Sequence, residues 1–103
     1  MRYQVVLQLR GDSGADFDAI VALEDELYDS LSGLAEVDGH DIGSDEANIF
    51  VLTDDPQATF SEMQPVLTRL NLLTNCTVAH REVEGDSYTV LWPVNSTQAF
   101  RVV

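Results

Sequence analysis

The spacing of apolar residues along this chain switches repeatedly between the period of a strand and that of a helix, and this switching limits the fold more than any other feature. Tyr3, Val5, Leu7 and Leu9 alternate with Gln4, Gln8 and Arg10, the period of two expected of a strand with one buried face. Gly11 and Gly14 interrupt it. From Ala15 onward, Phe17, Ile20, Val21, Leu27, Tyr28 and Leu31 recur at helical spacing, with Asp18, Asp25, Glu26 and Asp29 mostly on the other side. Ser13 and Asp16 resemble a capping box with Asp in place of Glu, and Gly33 supplies a stop. Acids early in the helix suit the positive end of its dipole.

A polar strand over Ala35 to Ile42 follows, then a Gly43-Ser44-Asp45 turn and the apolar strand Ala47 to Thr53. The string TDDP opens a second helix, with Asp55 as the N-cap and Pro56 at the first helical position. Phe60, Met63, Leu67 and Leu70 form its apolar stripe, and Pro65 within it is expected to kink the axis. Thr77 to Glu84 and Tyr88 to Trp92 read as a final hairpin around Glu84-Gly85-Asp86, ended by Pro93.

This order, β-α-β-β-α-β plus one more strand, predicts an α+β fold. With right-handed crossovers it gives a ferredoxin-like βαββαβ sandwich, an antiparallel sheet with two helices on one face, and an extra C-terminal hairpin strand. A chain of 103 residues fits one domain, since domains usually run to roughly 100–150 residues. Residues 1–93 form that domain, and 94–103 form a tail that adds at most a short edge strand.

The hairpin EVDGHDIGSDEANIF carries most of the chemically interesting side chains, and its register decides which of them meet. A two-residue turn at Gly43-Ser44 would place Glu36 and Asp38 on the face of Ile49 and Val51, burying charge. A three-residue loop, Gly43-Ser44-Asp45, pairs Ile42 with Glu46, His40 with Asn48 and Asp38 with Phe50. Val37, Ile49 and Val51 then share the core face. Asp38, His40, Glu46 and Asn48 share the outer face, and Asp41 points toward the helix layer. Such a cluster suggests a divalent metal site or acid–base pair, yet its spacing matches no specific ligand set. The reading adopted is a polar rim belonging to a recognition face, with no catalytic residue, metal or cofactor assigned.

Other features narrow the function by exclusion. Eighteen Asp and Glu face five Arg and no Lys, a net charge of −13, which disfavours nucleic acid and anionic membrane and favours a basic protein partner. Acidity of this kind also keeps a small protein soluble without any partner. No apolar run approaches the roughly 18 residues of a membrane span. The single Cys76 excludes an internal disulfide and fits a reducing compartment, so the expected location is cytoplasmic. Cys76 has no base nearby in the sequence, RGDSGAD lacks the Lys of a phosphate loop, and no G-x-S-x-G string is present. Val6, Phe50 and Leu52, with Leu91 or Trp92, are expected on the outer sheet face, where an open apolar patch would take a second copy or another protein.

The strings VDGHDIGSDEANIFVLTDDP and YTVLWP resemble a family of small bacterial proteins with the pattern D-G-H-D-x-G…N-I-F…T-D-D-P followed by L-W-P. The resemblance spans most of residues 1–93. It implies no activity, cofactor or partner, and points to Asp38, Gly39, His40, Asp41, Asn48 and Trp92. The sequence therefore favours a binding module over an enzyme, self-associating as a homodimer or bound to a basic protein in an adaptor or immunity-like role. Its binding candidates are Asp38, His40, Asp41, Glu46, Asn48, Phe50 and Trp92. The alternatives are a small enzyme or metal protein built on Asp38, His40, Glu46 and Asn48, or a domain that senses a small ligand.

Overall fold

A computed structural model describes residues 1–10, 17–43, 46–94 and 100–102. It contains strands β1 (Tyr3–Arg10), β2 (Ala35–Ile42), β3 (Glu46–Thr53), β4 (Cys76–Glu82) and β5 (Thr89–Trp92), and helices α1 (Phe17–Ser30) and α2 (Pro56–Arg69). The strands form one sheet in the order β2-β3-β1-β4-β5, with every neighbouring pair antiparallel. The α+β expectation holds, with a five-stranded sheet and two helices.

Strand β1 lies at the centre and is buried without a break from Val5 to Leu9. Val5, Leu7 and Leu9 face the core, opposite Val51, Ile49 and Ala47 on one side and His80, Val78 and Cys76 on the other. Ile20, Leu23 and Leu27 of α1 and Phe60, Met63, Val66 and Leu67 of α2 join these residues in one cluster, so both helices cover the same side of the sheet. Each such side chain, taken fully out of water, contributes roughly 1.5–3 kcal/mol.

The helix ends follow local rules. Asp55 accepts the Ala58 N–H at 3.1 Å, and Pro56 occupies the first turn, as the TDDP string predicts. Below this cap the Thr53 and Thr59 hydroxyls lie 2.7 Å apart, both fully buried. Helix α2 continues through Pro65 to Arg69, with Pro65 and Ser61 both exposed, so the carbonyl that proline leaves without an N–H partner lies on the water side. It ends where Asn71 adopts φ +59 and the Leu72 N–H reaches back to the Leu67 carbonyl, a Schellman motif with Asn in the position glycine usually takes. Gly33, at φ +84, lies in the turn that follows α1. The expected cap at Ser13 and Asp16 lies outside the described residues.

The β2–β3 hairpin departs from expectation in one respect, and that respect changes everything beyond it. Ala35, Glu36 and Val37 pair with Thr53, Leu52 and Val51, the register anticipated. The register then shifts: Gly39 opposes Phe50, His40 opposes Ile49, Asp41 opposes Asn48 and Ile42 opposes Ala47. Asp38 is the extra residue of a β-bulge, and Gly39 beside it sits at φ +142, which a side chain opposes. The Gly43 N–H donates to the Glu46 carbonyl at 2.8 Å, so the pairing of Ile42 with Glu46 is not formed, and residues 44 and 45 of the expected loop lie outside the described residues.

The sequence leaves open whether the tail adds a short edge strand. The described part of it, 100–102, adds no strand and instead crosses the outer side of the sheet. The Phe100 ring meets the Tyr88 ring at 4.9 Å, and the Arg101 carbonyl accepts a hydrogen bond from Gln8 of the central strand.

A β-carbon at position 39 meets no neighbour within 4 Å, so the cost of Gly39→Ala is conformational and not steric. The expected loss is about 1–3 kcal/mol of unfolding free energy, measured by urea denaturation. An unchanged midpoint would mean that the bulge is not held by this glycine.

Candidate functional site

The bulge redistributes the residues expected to form one cluster. In an antiparallel pair, directly opposed residues share a face, so His40, opposite fully buried Ile49, lies on the helix side of the sheet and not on the outer side. Its Nδ1 is 2.6 Å from Glu24 Oε1 of α1, and its ring stands edge-on to Phe17 with centroids 5.8 Å apart. Asp41 moves the other way, joining Asn48 on the outer face instead of the helix layer. Asp38 is exposed within the bulge. The proposed set of Asp38, His40, Glu46 and Asn48 is therefore split between two faces, which removes the geometry that a metal or acid–base reading needs. Among the described residues no group of three His, Cys, Asp or Glu side chains is placed to hold a metal ion.

Glu46 and Asn48 do meet on the outer face, where they are tied into the fold. Gln8, fully buried, directs Nε2 at Glu46 Oε2, Asn48 Oδ1 and the Arg101 carbonyl, each 3.1 Å away. Its Oε1 accepts from Arg10 Nε at 3.1 Å and Nη2 at 3.0 Å, while Asn48 Nδ2 donates to Glu46 at 3.1 Å. This network is a satisfied buried junction between β1, β3 and the C-terminal segment. Val6 and Ala79, also on the outer face, are 0% exposed. The expectation of an open outer sheet is corrected at its centre, where Val6, Gln8 and Ala79 are fully buried and the Arg101 carbonyl bonds to Gln8. Phe50 and Leu52 remain half-buried on that face. Trp92 is not on it: opposite Val78, its Nε1 donates to the Leu73 carbonyl at 2.8 Å and its ring lies 6.1 Å from Phe60.

A different surface emerges at the margin of the sheet. Strand β2 is the last in the order, and among the described residues no strand pairs with its free side. The core stripe of α1 is Ile20, Leu23 and Leu27, continued by Leu31 beyond its end, and it is complete without aromatics. Phe17 and Tyr28, expected in that stripe, are 57% and 66% exposed. With Val21 and Glu24 they form a second row, spaced as a helix face, beside the β2 edge. Tyr28 lines a hollow of about 210 Å³ with Ser32, Gly33, Ala35, Glu36 and Val37. The signal for this row was present in the sequence: residues 20, 23, 27 and 31 already satisfy the helical period, leaving Phe17 and Tyr28 to a neighbouring stripe.

Charge is distributed just as unevenly. All of the acidic residues except Glu82, Glu84 and Asp86 lie between Arg10 and Arg69, a stretch with no Lys or Arg. Outside it, four guanidiniums are committed to partners within the fold. Arg69 forms a two-pronged pair with Glu26 at 2.9 and 3.0 Å, which raises its pKa, and Arg10 is held by Gln8. Arg81 donates to the carbonyls of Glu82, Val83 and Gly85, and Arg2 lies 3.7 Å from Glu82. Asp18, Asp25 and Asp29 on α1 and Glu36, Asp38 and Asp41 on β2 are exposed.

Two titratable groups on the core face are shaped by burial. Desolvation pushes the Cys76 thiol up to about 11, so it stays protonated and unreactive at neutral pH. Desolvation lowers the pKa of His80, whose buried Nδ1 finds no hydrogen-bond partner among the described residues and whose ring stands edge-on to Tyr3. Neither group has the neighbours of a catalytic centre. Compared with protein-family models, curated proteins and solved structures, the chain matches none.

Replacing Gln8 with Leu keeps volume but strips partners from Arg10, Asn48 and Glu46. The expected loss is about 1–3 kcal/mol in urea denaturation, with faster amide exchange at residues 100–102. A neutral result would mean that the tail is not anchored through this side chain. For His80 the neutral ring is favoured in the fold. The stability it secures is complete above the ordinary pKa of 6.5 and is lost as pH falls through its lower folded value. Thermal unfolding followed downward from pH 7 therefore shows a decline that His80→Phe flattens, and an identical pH profile in the variant would refute the assignment.

Proposed function

We propose that this chain is a small acidic protein-binding module with ferredoxin-like βαββαβ topology extended by β5, and that its partner is a basic protein. The supporting observation is the distribution of charge. An acid-rich stretch without Lys or Arg runs through α1, the β2–β3 hairpin and most of α2, while four of the five arginines are engaged within the fold. Such a field accelerates encounter with a cationic surface and penalises anionic ones. The adaptor or immunity-like role belongs to this reading, as does a cytoplasmic location. In the structure, no helix among the described residues is long and apolar enough to cross a membrane.

Self-association through the outer face receives less support, because Val6, Gln8 and Asn48 are already buried there and Gln8 bonds to the Arg101 carbonyl. The enzyme or metal reading of Asp38, His40, Glu46 and Asn48 receives less support, because His40 opposes Ile49 on the helix side. Membership in the family of small bacterial proteins is compatible with the binding reading and adds no chemistry to it. The DGHD string has a structural role, since Asp38 and Gly39 form the bulge.

The test is crosslinked capture from the source cell followed by affinity measurement across a salt series. A basic partner is expected, with Kd rising about tenfold or more from low to physiological ionic strength as surface charges are screened. An acidic or neutral partner whose affinity ignores salt would sink the proposal.

A further inference from the structure

The free edge of β2 and the helix row beside it form one surface. Strand β2 offers a run of eight residues, Ala35–Ile42, whose far side is unpaired among the described residues. Above it on the helix side stand Phe17, Glu24 and Tyr28, with His40 bridging strand to helix through Glu24 and Phe17. The hollow between Tyr28, Ala35 and Val37 has room for a side chain. An extended segment laid along β2 would place alternate side chains on two sides. One set would enter between Tyr28 and Phe17, and the other would lie beside Glu36 and Asp41, which point to the outer side.

We infer that this edge is a strand-addition site for an extended segment of a basic protein, in which Lys or Arg alternates with apolar residues. Main-chain hydrogen bonds to β2 supply register, the aromatic row takes the apolar side chains, and the acids take the cations. Charge selects this occupant over a second copy. Antiparallel pairing of two β2 edges would bring Glu36, Asp38 and Asp41 of each copy against those of the other, and like charges directly opposite are destabilising. The inference rests on the basic-partner reading and names its site.

The probe is an array of short synthetic peptides alternating lysine with valine, leucine or tyrosine, set against peptides of the same composition in shuffled order. Alternating peptides are expected to bind about tenfold or more tightly than shuffled ones. On titration, amide NMR shifts should concentrate at Ala35–Ile42 and Tyr28. Tyr28→Ala, at an exposed position that the fold tolerates, should weaken binding about tenfold, the size expected for an interface tyrosine. N-methylation of alternate peptide amides, which keeps charge and removes donors, should do the same in one of its two phases. Equal binding of shuffled peptides, or shifts centred on the outer face, would overturn the edge site while leaving a cation-binding surface in place. So would concentration-dependent β2 shifts without peptide, which would put a second copy on the edge. Failure of every cationic peptide at low salt would overturn the site and remove support from the basic-partner reading together.

Discussion

The unusual backbone of Gly39 allows β2 to carry one more residue than the strand it pairs with, and the rest of the hairpin depends on that residue. On the near side of the bulge Val37 faces the core; on the far side His40 does. Without the extra residue, His40 would oppose Asn48 on the outer face and could not reach Glu24. The bulge therefore couples the edge strand to α1 through a side-chain contact of 2.6 Å, while the same strand sends Glu36 and Asp41 outward. A bulge also bends and twists the strand that contains it, which suits a strand at the sheet margin.

The elements were legible where local chemistry and burial agreed. TDDP is capped as its residues demand, Pro93 follows β5, and the alternation of Tyr3 to Leu9 marks β1. What was not legible depended on contacts distant in sequence. Val6 and Gln8 occupy positions that alternation assigns to a solvated face, yet both are fully buried, and Gln8 bonds to the Arg101 carbonyl, ninety-three positions away. Hydrophobic bookkeeping chose a regular register for the hairpin, since it prices apolar burial and cannot see a favourable pair formed by moving a histidine to the helix side. The candidate site suffered the same way: Asn48 and Glu46 were correctly placed on the outer face, but their partner there is Gln8 and not His40.

The two polar groupings differ in what they leave for a partner. The Gln8 junction uses its own capacity: each of its amide atoms has acceptors or donors within 3.1 Å, so a ligand arriving there must break bonds already made. At the β2 margin the acids are exposed, and two largely exposed aromatic rings stand beside a strand edge that is unpaired among the described residues. Burying an aromatic ring on binding gains more than rearranging a satisfied network. The contrast directs attention from the conspicuous hairpin cluster to the less conspicuous edge.

An unpaired strand edge is a hazard, and charged residues and bulges are the means by which natural sheets protect one. Those means act differently on different visitors. The bulge at Asp38 disturbs pairing for any incoming strand, but the carboxylates of Glu36, Asp38 and Asp41 repel only strands of like charge. In a chain of net charge −13, every second copy carries that same charge, so self-pairing meets repulsion both at the edge and from the whole molecule. A cationic segment meets the bulge but neither repulsion. Protection against self-association and preference for a basic partner thus come from the same three side chains, and a single acid-to-lysine exchange among them weakens both together.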